Sequence, residues 1–402
     1  SFIDPVKMTT GVLLDGKENY VNEHSRPFIY NKTNKTIIVP SINNIYTNNG
    51  FTIFDVSDPA SPKVVTGFGL GVCPFPENGN TRGAMSLSLD GKTIFMAACK
   101  SIYAIDISDV SSAKQPEVIS KLRTSLSWPW QSDSNLVLSS DGKTLYAHGS
   151  NGGETSMKLL AYDVDDIFNI KEIRISNYYS STVPNSNGRY NISRFYNIEI
   201  NENKNIIYSL YDSGITKTNV YPNDQSNKPL HQTGTYGIEN LDSKYFTVSE
   251  DEIAYVFSND KLKIIDISGE DPKIISHELD LAGSKYLKLS KDGNVLFTSG
   301  TYGYYMIDVF NKKTPSIIKK FVPSYSTNGG FSYENGISSS FLFEISENED
   351  FIIGFAGSLS IKIKSEALID TELDSGYLSF IYDNNLLDAN NNSDGFSFKV
   401  SD

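Results

Sequence analysis

Any catalysis in this chain must be built from a narrow stock of reactive side chains: four histidines, two cysteines and 48 acidic residues among 402. Four histidines are too few for a multi-histidine copper cluster or for a ring contributed by several repeats. A mononuclear site of two histidines plus carboxylates remains open, as does acid–base hydrolysis by carboxylates assisted by His24 or His148. No GxSxG segment marks a serine nucleophile. Gly-Lys-Thr at Gly91 and at Gly142 mimics the end of a phosphate-binding loop, but the preceding spacing is wrong and no helix follows. The segment DANNNSDG offers oxygen donors from Asp388, Asn390, Asn392 and Asp394, a calcium candidate. It lacks the glycine at the sixth position and the closing glutamate of a calcium loop, so a polar hairpin loop is the simpler reading. No other cofactor is expected.

Those side chains need a scaffold, and the chain supplies one by repetition. An apolar strand, a polar turn, a second strand, a gap and a third strand ending in Asp recur along nearly the whole sequence. Clear copies are LSLDGKTIFMAACKSIYAIDISD from Leu87, LVLSSDGKTLYAHGS from Leu136 and LKLSKDGNVLFTSGTYGYYMIDV from Leu287. Weaker copies begin at Phe28, Tyr196, Phe246 and Phe341. Alternating apolar residues give half-buried strands, and Asp90-Gly91, Asp141-Gly142 and Asp292-Gly293 suit hairpin turns with positive backbone angles. A fourth strand follows each third one, as in PKVVTGF, PEVISKL and PSIIKKF. Third-strand positions Asp55, Asp106, Asp163, Asn219, Asp266 and Asp308 lie 42 to 57 residues apart. The expected fold is therefore all-β, a seven-bladed β-propeller of four-stranded antiparallel blades, in preference to a Greek-key sandwich. Approximate blade bounds are 26–70, 84–123, 134–177, 190–236, 240–281, 284–323 and 339–383, with 384–402 as a C-terminal hairpin or closure segment. GVLLD near the N-terminus is the alternative closing strand. The segment NVYPNDQSNKPLH, from Asn219 to His231, reads as a degenerate third and fourth strand.

The segments IFDVSDPASPKVV, AIDISDVSSAKQPEVIS and IIDISGEDPKIIS resemble the LVIVD repeat of bacterial and archaeal β-propellers. The likeness spans the first six copies; the last reads LSIKIKSEALID, with no Asp at the matching place. The resemblance implies a propeller, often exported or attached to the cell surface, whose members share no common established activity. It implies no catalytic residue. The recurrent Asp55, Asp106, Asp163, Asp266 and Asp308 could be metal ligands. A turn device at each strand end, with the carboxylate accepting backbone hydrogen bonds, fits a one-per-copy pattern better.

Long loops gather on one end of such a scaffold, at 71–83, 123–134, 177–190 and 323–336. They carry Trp128, Trp130, Tyr178, Tyr179, Tyr190, Tyr325, Phe331 and Tyr333, amphipathic rings beside Asn, Ser and Gly that suit a glycan or protein ligand. Alternatively, these rings plug the channel or brace neighbouring loops. Cys73 and Cys99 fall at the same end of one blade, close enough for a disulfide; two independent thiols are the alternative. The triplets at Asn31, Asn34, Asn191 and Asn391 fit glycosylation sites, but an Asn-rich chain produces such triplets by chance.

The charge balance is 35 basic against 48 acidic residues, net −13, which opposes nucleic acid and anionic membranes as partners. No apolar run reaches the length of about 18 residues read as a membrane span. The chain opens on Ser1 without a basic, apolar leader, as expected if a signal peptide was removed or the ends were trimmed. The leading expectation is a non-catalytic propeller, extracellular or on the cell surface, acting in carbohydrate binding, protein binding or adhesion. It would be a monomer or part of a surface assembly. A hydrolase or lactonase with a channel-mouth site, with or without a metal, is the second reading, and a structural module of an assembly the third.

Overall fold

The computed structural model describes residues 29–43, 48–57, 63–70, 84–98, 100–109, 114–124, 136–150, 157–175, 195–211, 214–220, 231–238, 241–269, 271–281, 286–300, 303–321, 342–345, 351–355, 359–363, 377–382 and 396–401. They form antiparallel sheets in which strands adjacent in sequence are adjacent in space. First strands are Ile29–Asn31, Ala84–Leu87, Val137–Leu138, Phe195–Asn201, Leu241–Val248 and Tyr286–Leu289. Second strands are Thr36–Asn43, Thr93–Ala98, Thr144–Ser150, Ile206–Tyr211, Ile253–Ser258 and Val295–Gly300. Third strands are Asn48–Asp55, Ser101–Asp106, Met157–Asp163, Gly214–Asn219, Lys261–Asp266 and Gly303–Asp308. Fourth strands are Lys63–Gly69, Glu117–Arg123, Lys171–Ile175, His231–Gly237, Lys273–Asp280 and Ser316–Phe321.

These six four-stranded sheets stack in series, first strand beside first strand from sheet one to sheet six. A propeller-like arrangement results, with the first strands forming an inner edge. The expectation of a seven-bladed ring of uniform four-stranded blades is corrected. The C-terminal sheet has five strands: Leu342–Ile345, Phe351–Phe355, Leu359–Ile363, Tyr377–Tyr382 and Phe396–Ser401. Tyr377–Tyr382, which would have been the outermost strand, pairs with Phe396–Ser401 from Tyr377↔Ser401 to Tyr382↔Phe396. The alternating FSFKVS is a further edge strand because an antiparallel partner precedes it within hairpin reach. Closure of the sheets into a ring is not seen among the described residues, and GVLLD lies outside them. Sheet four is also corrected: its fourth strand is His231–Gly237, beyond most of the segment expected to supply it.

The turns explain the repeat. In sheets two, three and six, Ser88, Ser139 and Ser290 donate their hydroxyls to Asp90, Asp141 and Asp292 at 2.6 Å. The same carboxylates accept the amides of Lys92, Lys143 and Asn294 at 3.0 Å. Within these three turns positive φ falls on Gly91, Gly142 and Gly293, at 72°, 73° and 73°. The two-residue turn with both central residues left-handed is thereby replaced by a longer loop in which only the glycine is left-handed. At the same end of each sheet, where the third strand finishes, Asp55, Asp106, Asp163, Asp266 and Asp308 accept the amides of Ser57, Ser108, Asp165, Ser268 and Phe310 at 2.8, 2.8, 3.1, 3.0 and 2.9 Å. The recurrent aspartate is a turn device.

The core lies between sheets rather than within them. Phe51, Ile94 and Ile105 belong to one cluster, Tyr208, Phe246 and Val256 to another, and Tyr255, Leu262 and Leu296 to a third. The second strands of sheets two, four and five are buried on both faces, which accounts for the continuous apolar character of TIFMAA and IAYVFS. No helix among the described residues is long and apolar enough to cross a membrane.

Candidate functional site

Every first strand carries one residue two positions before the Ser or Asn that opens its hairpin turn. In the six stacked sheets these are Ile29, Ser86, Val137, Glu199, Thr247 and Lys288. Their cross-strand partners are Ile38, Phe95, Tyr146, Tyr208, Tyr255 and Phe297, the third residues of the second strands, so all six occupy one level. The stacking of sheets four, five and six brings Glu199, Thr247 and Lys288 together along the inner edge.

Their electrostatics are coupled. Glu199 Oε2 accepts the Val248 backbone N–H at 2.9 Å, and the Thr247 hydroxyl donates to the same carboxylate. Desolvation by the packed sheets pushes the Glu199 carboxyl up to about 7, against those two hydrogen bonds and the attraction of Lys288. A carboxyl group at that value exchanges protons near neutrality, as a general base or acid requires. Glu199 and Lys288 are half-buried, so both remain within reach of solvent, whereas Thr247 is buried.

The interface between sheets four and five holds a second polar constellation. Glu252 ends the hairpin turn of sheet five in the left-handed region, φ 62°, where the glycine stands in the Ser-x-Asp-Gly turns. For a glutamate that backbone costs about 1 kcal/mol or more. It aims the carboxylate at sheet four. There the Tyr208 hydroxyl donates to Oε1 at 2.7 Å, Lys204 Nζ lies 3.0 Å from Oε2, and Lys217 Nζ also pairs with Oε1. Burial opposes ionisation of Glu252, but the bonds from Lys217, Tyr208 and Lys204 outweigh it and hold the carboxyl below the usual range. This cluster is well satisfied and ties two sheets together.

His148 was one of two histidines that could assist hydrolysis by projecting from the loop-bearing end. Instead it is fully buried between sheets three and four, with Nε2 2.9 Å from Ser209 Oγ. It sits on the second strand, whose faces are both covered, and burial pushes its pKa down to about 3. A neutral imidazole sealed from solvent cannot serve a substrate, so this candidate catalytic histidine is withdrawn. Asn31 is likewise fully buried, its amide donating to the Gly91 carbonyl at 2.7 Å, which removes it as a glycosylation acceptor.

The aromatic candidates Trp128, Trp130, Tyr178, Tyr179, Tyr190, Tyr325, Phe331 and Tyr333 lie outside the described residues. So do His24, the pair Cys73 and Cys99, and the calcium candidates Asp388, Asn390, Asn392 and Asp394. Among the described residues no cluster of three or more His, Cys, Asp or Glu side chains could hold a metal ion. Glu199, Thr247 and Lys288 were missed by motif reading. The available signal was their common column when the repeats are aligned on the turn Ser or Asn.

The comparisons agree on architecture. Residues 46–68 match the LVIVD repeat. No curated protein matches the chain. Among solved structures, a functionally unknown protein from Desulfotomaculum acetoxidans superposes with a TM-score of 0.53 at 11% identity, covering 88% of this chain and 96% of that one. A putative 6-phosphogluconolactonase from Bacteroides uniformis gives 0.58 at 13% identity, over 83% and 92%. A chain of a mitotic checkpoint complex gives 0.52 at 9%, over 89% and 88%. Proteins so different in description share the fold with this chain, and the likeness extends to the fold alone.

Proposed function

We propose that the protein is a small-molecule hydrolase, acting on esters or lactones at the inner edge of its sheets. The observation that supports this most directly is Glu199, a partly exposed carboxyl poised near neutrality and set at one level with Thr247 and Lys288. In this reading Glu199 takes a proton from water, and the resulting hydroxide adds to the acyl carbon. The carbon–oxygen bond to the leaving group then breaks, and the proton passes from Glu199 to the departing alkoxide. Water and ester go in; acid and alcohol come out. The Val248 amide and the Thr247 hydroxyl fix the carboxylate orientation, which raises the effective concentration of base at the acyl carbon. The lactonase-like description of one structural neighbour fits the same chemistry.

A panel of neutral lactones and aryl esters, followed by proton release, tests the reading. Turnover rising with pH through about 7 and falling at least about a hundredfold in Glu199→Gln is expected. Activity untouched by that substitution sinks it.

The aromatic loops favour a second reading, an exported or surface-displayed propeller that binds a glycan or protein through Trp128 and Trp130. Loss of glycan-array or calorimetric binding in Trp128→Ala and Trp130→Ala, with Glu199→Gln silent in every assay, would favour it over hydrolysis.

A further inference from the structure

We propose that the turn end of sheets five and six is a self-complementary surface through which two copies of this chain pair about a two-fold axis. These neighbouring sheets carry opposite charge. Sheet five, Leu241–Asp280, has ten acidic residues against four lysines, and sheet six, Tyr286–Phe321, has six lysines against two aspartates. At the turn end the imbalance reaches solvent: Asp251 and Asp271 are exposed on sheet five, while on sheet six Lys313 is exposed and Lys312 half-buried. None of these four belongs to an ion pair among the described residues. Both aspartates of sheet six are held by its own turns, Asp292 by Ser290 and Asn294, Asp308 by the Phe310 amide.

Apolar surface gathers at the same corner. Of the seven large hydrophobic side chains exposed among the described residues, four lie here: Ile274, Phe310, Ile317 and Ile318, 44 to 75% exposed. Ile274 and Ile317 each follow the first residue of a fourth strand and pair with Ile265 and Ile307 of the third, so they stand at one level on adjacent sheets. Phe310 is in the turn that leads into the second of these strands. A single exposed isoleucine is ordinary, whereas a group of them between acids and lysines marks a contact surface.

The order of charge names the occupant. A surface of one sign needs a partner of the other, but a surface that carries both signs in adjacent halves is completed by its own copy after a half turn. Sheet five of each copy then meets sheet six of the other, aspartates against lysines, with the apolar side chains between. Edge-to-edge pairing of the fourth strands is opposed by a register shift beside each isoleucine, between Ile264 and Ile265 and between Met306 and Ile307. Side chains, rather than an added strand, make the contact.

The test is sedimentation equilibrium of the full chain as wild type and as three charge variants: Lys312→Glu with Lys313→Glu, Asp251→Lys with Asp271→Lys, and all four changes together. Circular dichroism checks that each is folded. Expected is a monomer–dimer equilibrium in wild type, weakened about tenfold or more in either two-site variant and restored when all four changes share one chain. Mixing the two two-site variants restores it as well, because each supplies the sign the other has lost. Phe310→Ser with Ile317→Ser weakens the dimer about tenfold or more with both charge sets in place. Wild type that stays monomeric overturns the proposal, as does a dimer indifferent to both two-site variants. Masses that grow past the dimer with concentration overturn the two-fold arrangement in favour of head-to-tail contact. Co-sedimentation of monomeric wild type with phosphatidylserine vesicles, lost in Lys312→Glu with Lys313→Glu, overturns it in favour of an anionic lipid surface.

Discussion

Sheet five has two faces, and they are sealed by different means. Toward sheet four an apolar cluster that includes Leu210, Phe246 and Val256 is joined by a charged one: Glu252 meets Tyr208, Lys204 and Lys217, while Tyr236 donates to the Gly269 carbonyl at 2.9 Å. Toward sheet six the seal is aromatic and aliphatic: Tyr245 and Tyr286 meet edge to face at 4.7 Å, beside Phe257, Leu262 and Leu296. The same residue type marks the contrast. Tyr208 and Tyr255 are each the third residue of a second strand and each is completely buried, yet only Tyr208 finds an acid across the interface. The Tyr255 hydroxyl has no hydrogen-bond partner among the described residues. The residue that precedes the next second strand decides this. Glu252 stands there in sheet five and Asn294 in sheet six, each giving its carbonyl to the residue after the third strand, Ile267 or Val309. Asn294 turns its amide back onto Asp292 at 2.8 Å. The acid in the sheet-five turn, together with Lys204 and Lys217 of sheet four, thus adds a charged cluster to an apolar interface, at the expense of a strained backbone.

The largest way to break the contrast is Glu252→Ala, which removes the carboxylate that the Lys217 ammonium and the Tyr208 hydroxyl meet across the interface. A loss of about 3–5 kcal/mol in urea-unfolding stability is expected. Glu252→Gln should cost less, because the tyrosine keeps an acceptor.

Next comes the other face of sheet four, where His148 meets Ser209. The folded-state pKa of His148, about 3, lies below the ordinary 6.5. The stability this confers is therefore complete above pH 6.5 and lost as pH falls from 6.5 toward 3. The slope is about 1.4 kcal/mol per pH unit for the one proton involved. His148→Asn should flatten that part of the stability–pH curve relative to wild type; an unchanged slope would show that His148 is not the titrating group.

Smaller still is the paired comparison of the tyrosines. Tyr208→Phe is expected to cost about 1.5–3 kcal/mol, a hydrogen bond to a charged acceptor, whereas Tyr255→Phe should be neutral or slightly stabilising. Equal losses at both positions would erase the distinction between the two interfaces. Smallest is Glu199→Gln. The folded carboxyl titrates near 7 instead of 4.5, so its contribution is present below pH 4.5 and lost as pH rises through 7. The glutamine variant should gain stability relative to wild type between those values, measured by thermal unfolding across pH.

What could be read from the sequence follows the range of the interactions. The turn devices were legible because each is made within a few residues: Ser88 with Asp90, Asp266 with Ser268. Strand order was legible for the same reason, since consecutive strands pair. The number of strands in the last sheet was not, because the FSFKVS segment could pair with its predecessor or leave an edge for another strand. His148 was misplaced because an alternating strand suggests one exposed face, and stacked sheets cover both. Glu199, Thr247 and Lys288 lie nearly 90 residues apart from first to last and meet only when three sheets stack. No motif spacing encodes that contact.

The Ser-x-Asp-Gly turn has a consequence for how such a chain can grow. The Ser–Asp bonds that shape it close inside one hairpin, so a copy of that segment brings its own turn wherever it is inserted, and the bond from Asn31 to Gly91 in sheet two is an addition to a turn already formed. The Glu252 turn is different, since it is complete only beside a sheet that carries Tyr208, Lys204 and Lys217. Sheets two, three and six are interchangeable parts in this respect, whereas sheets four and five form a matched pair that duplication or deletion would have to carry together.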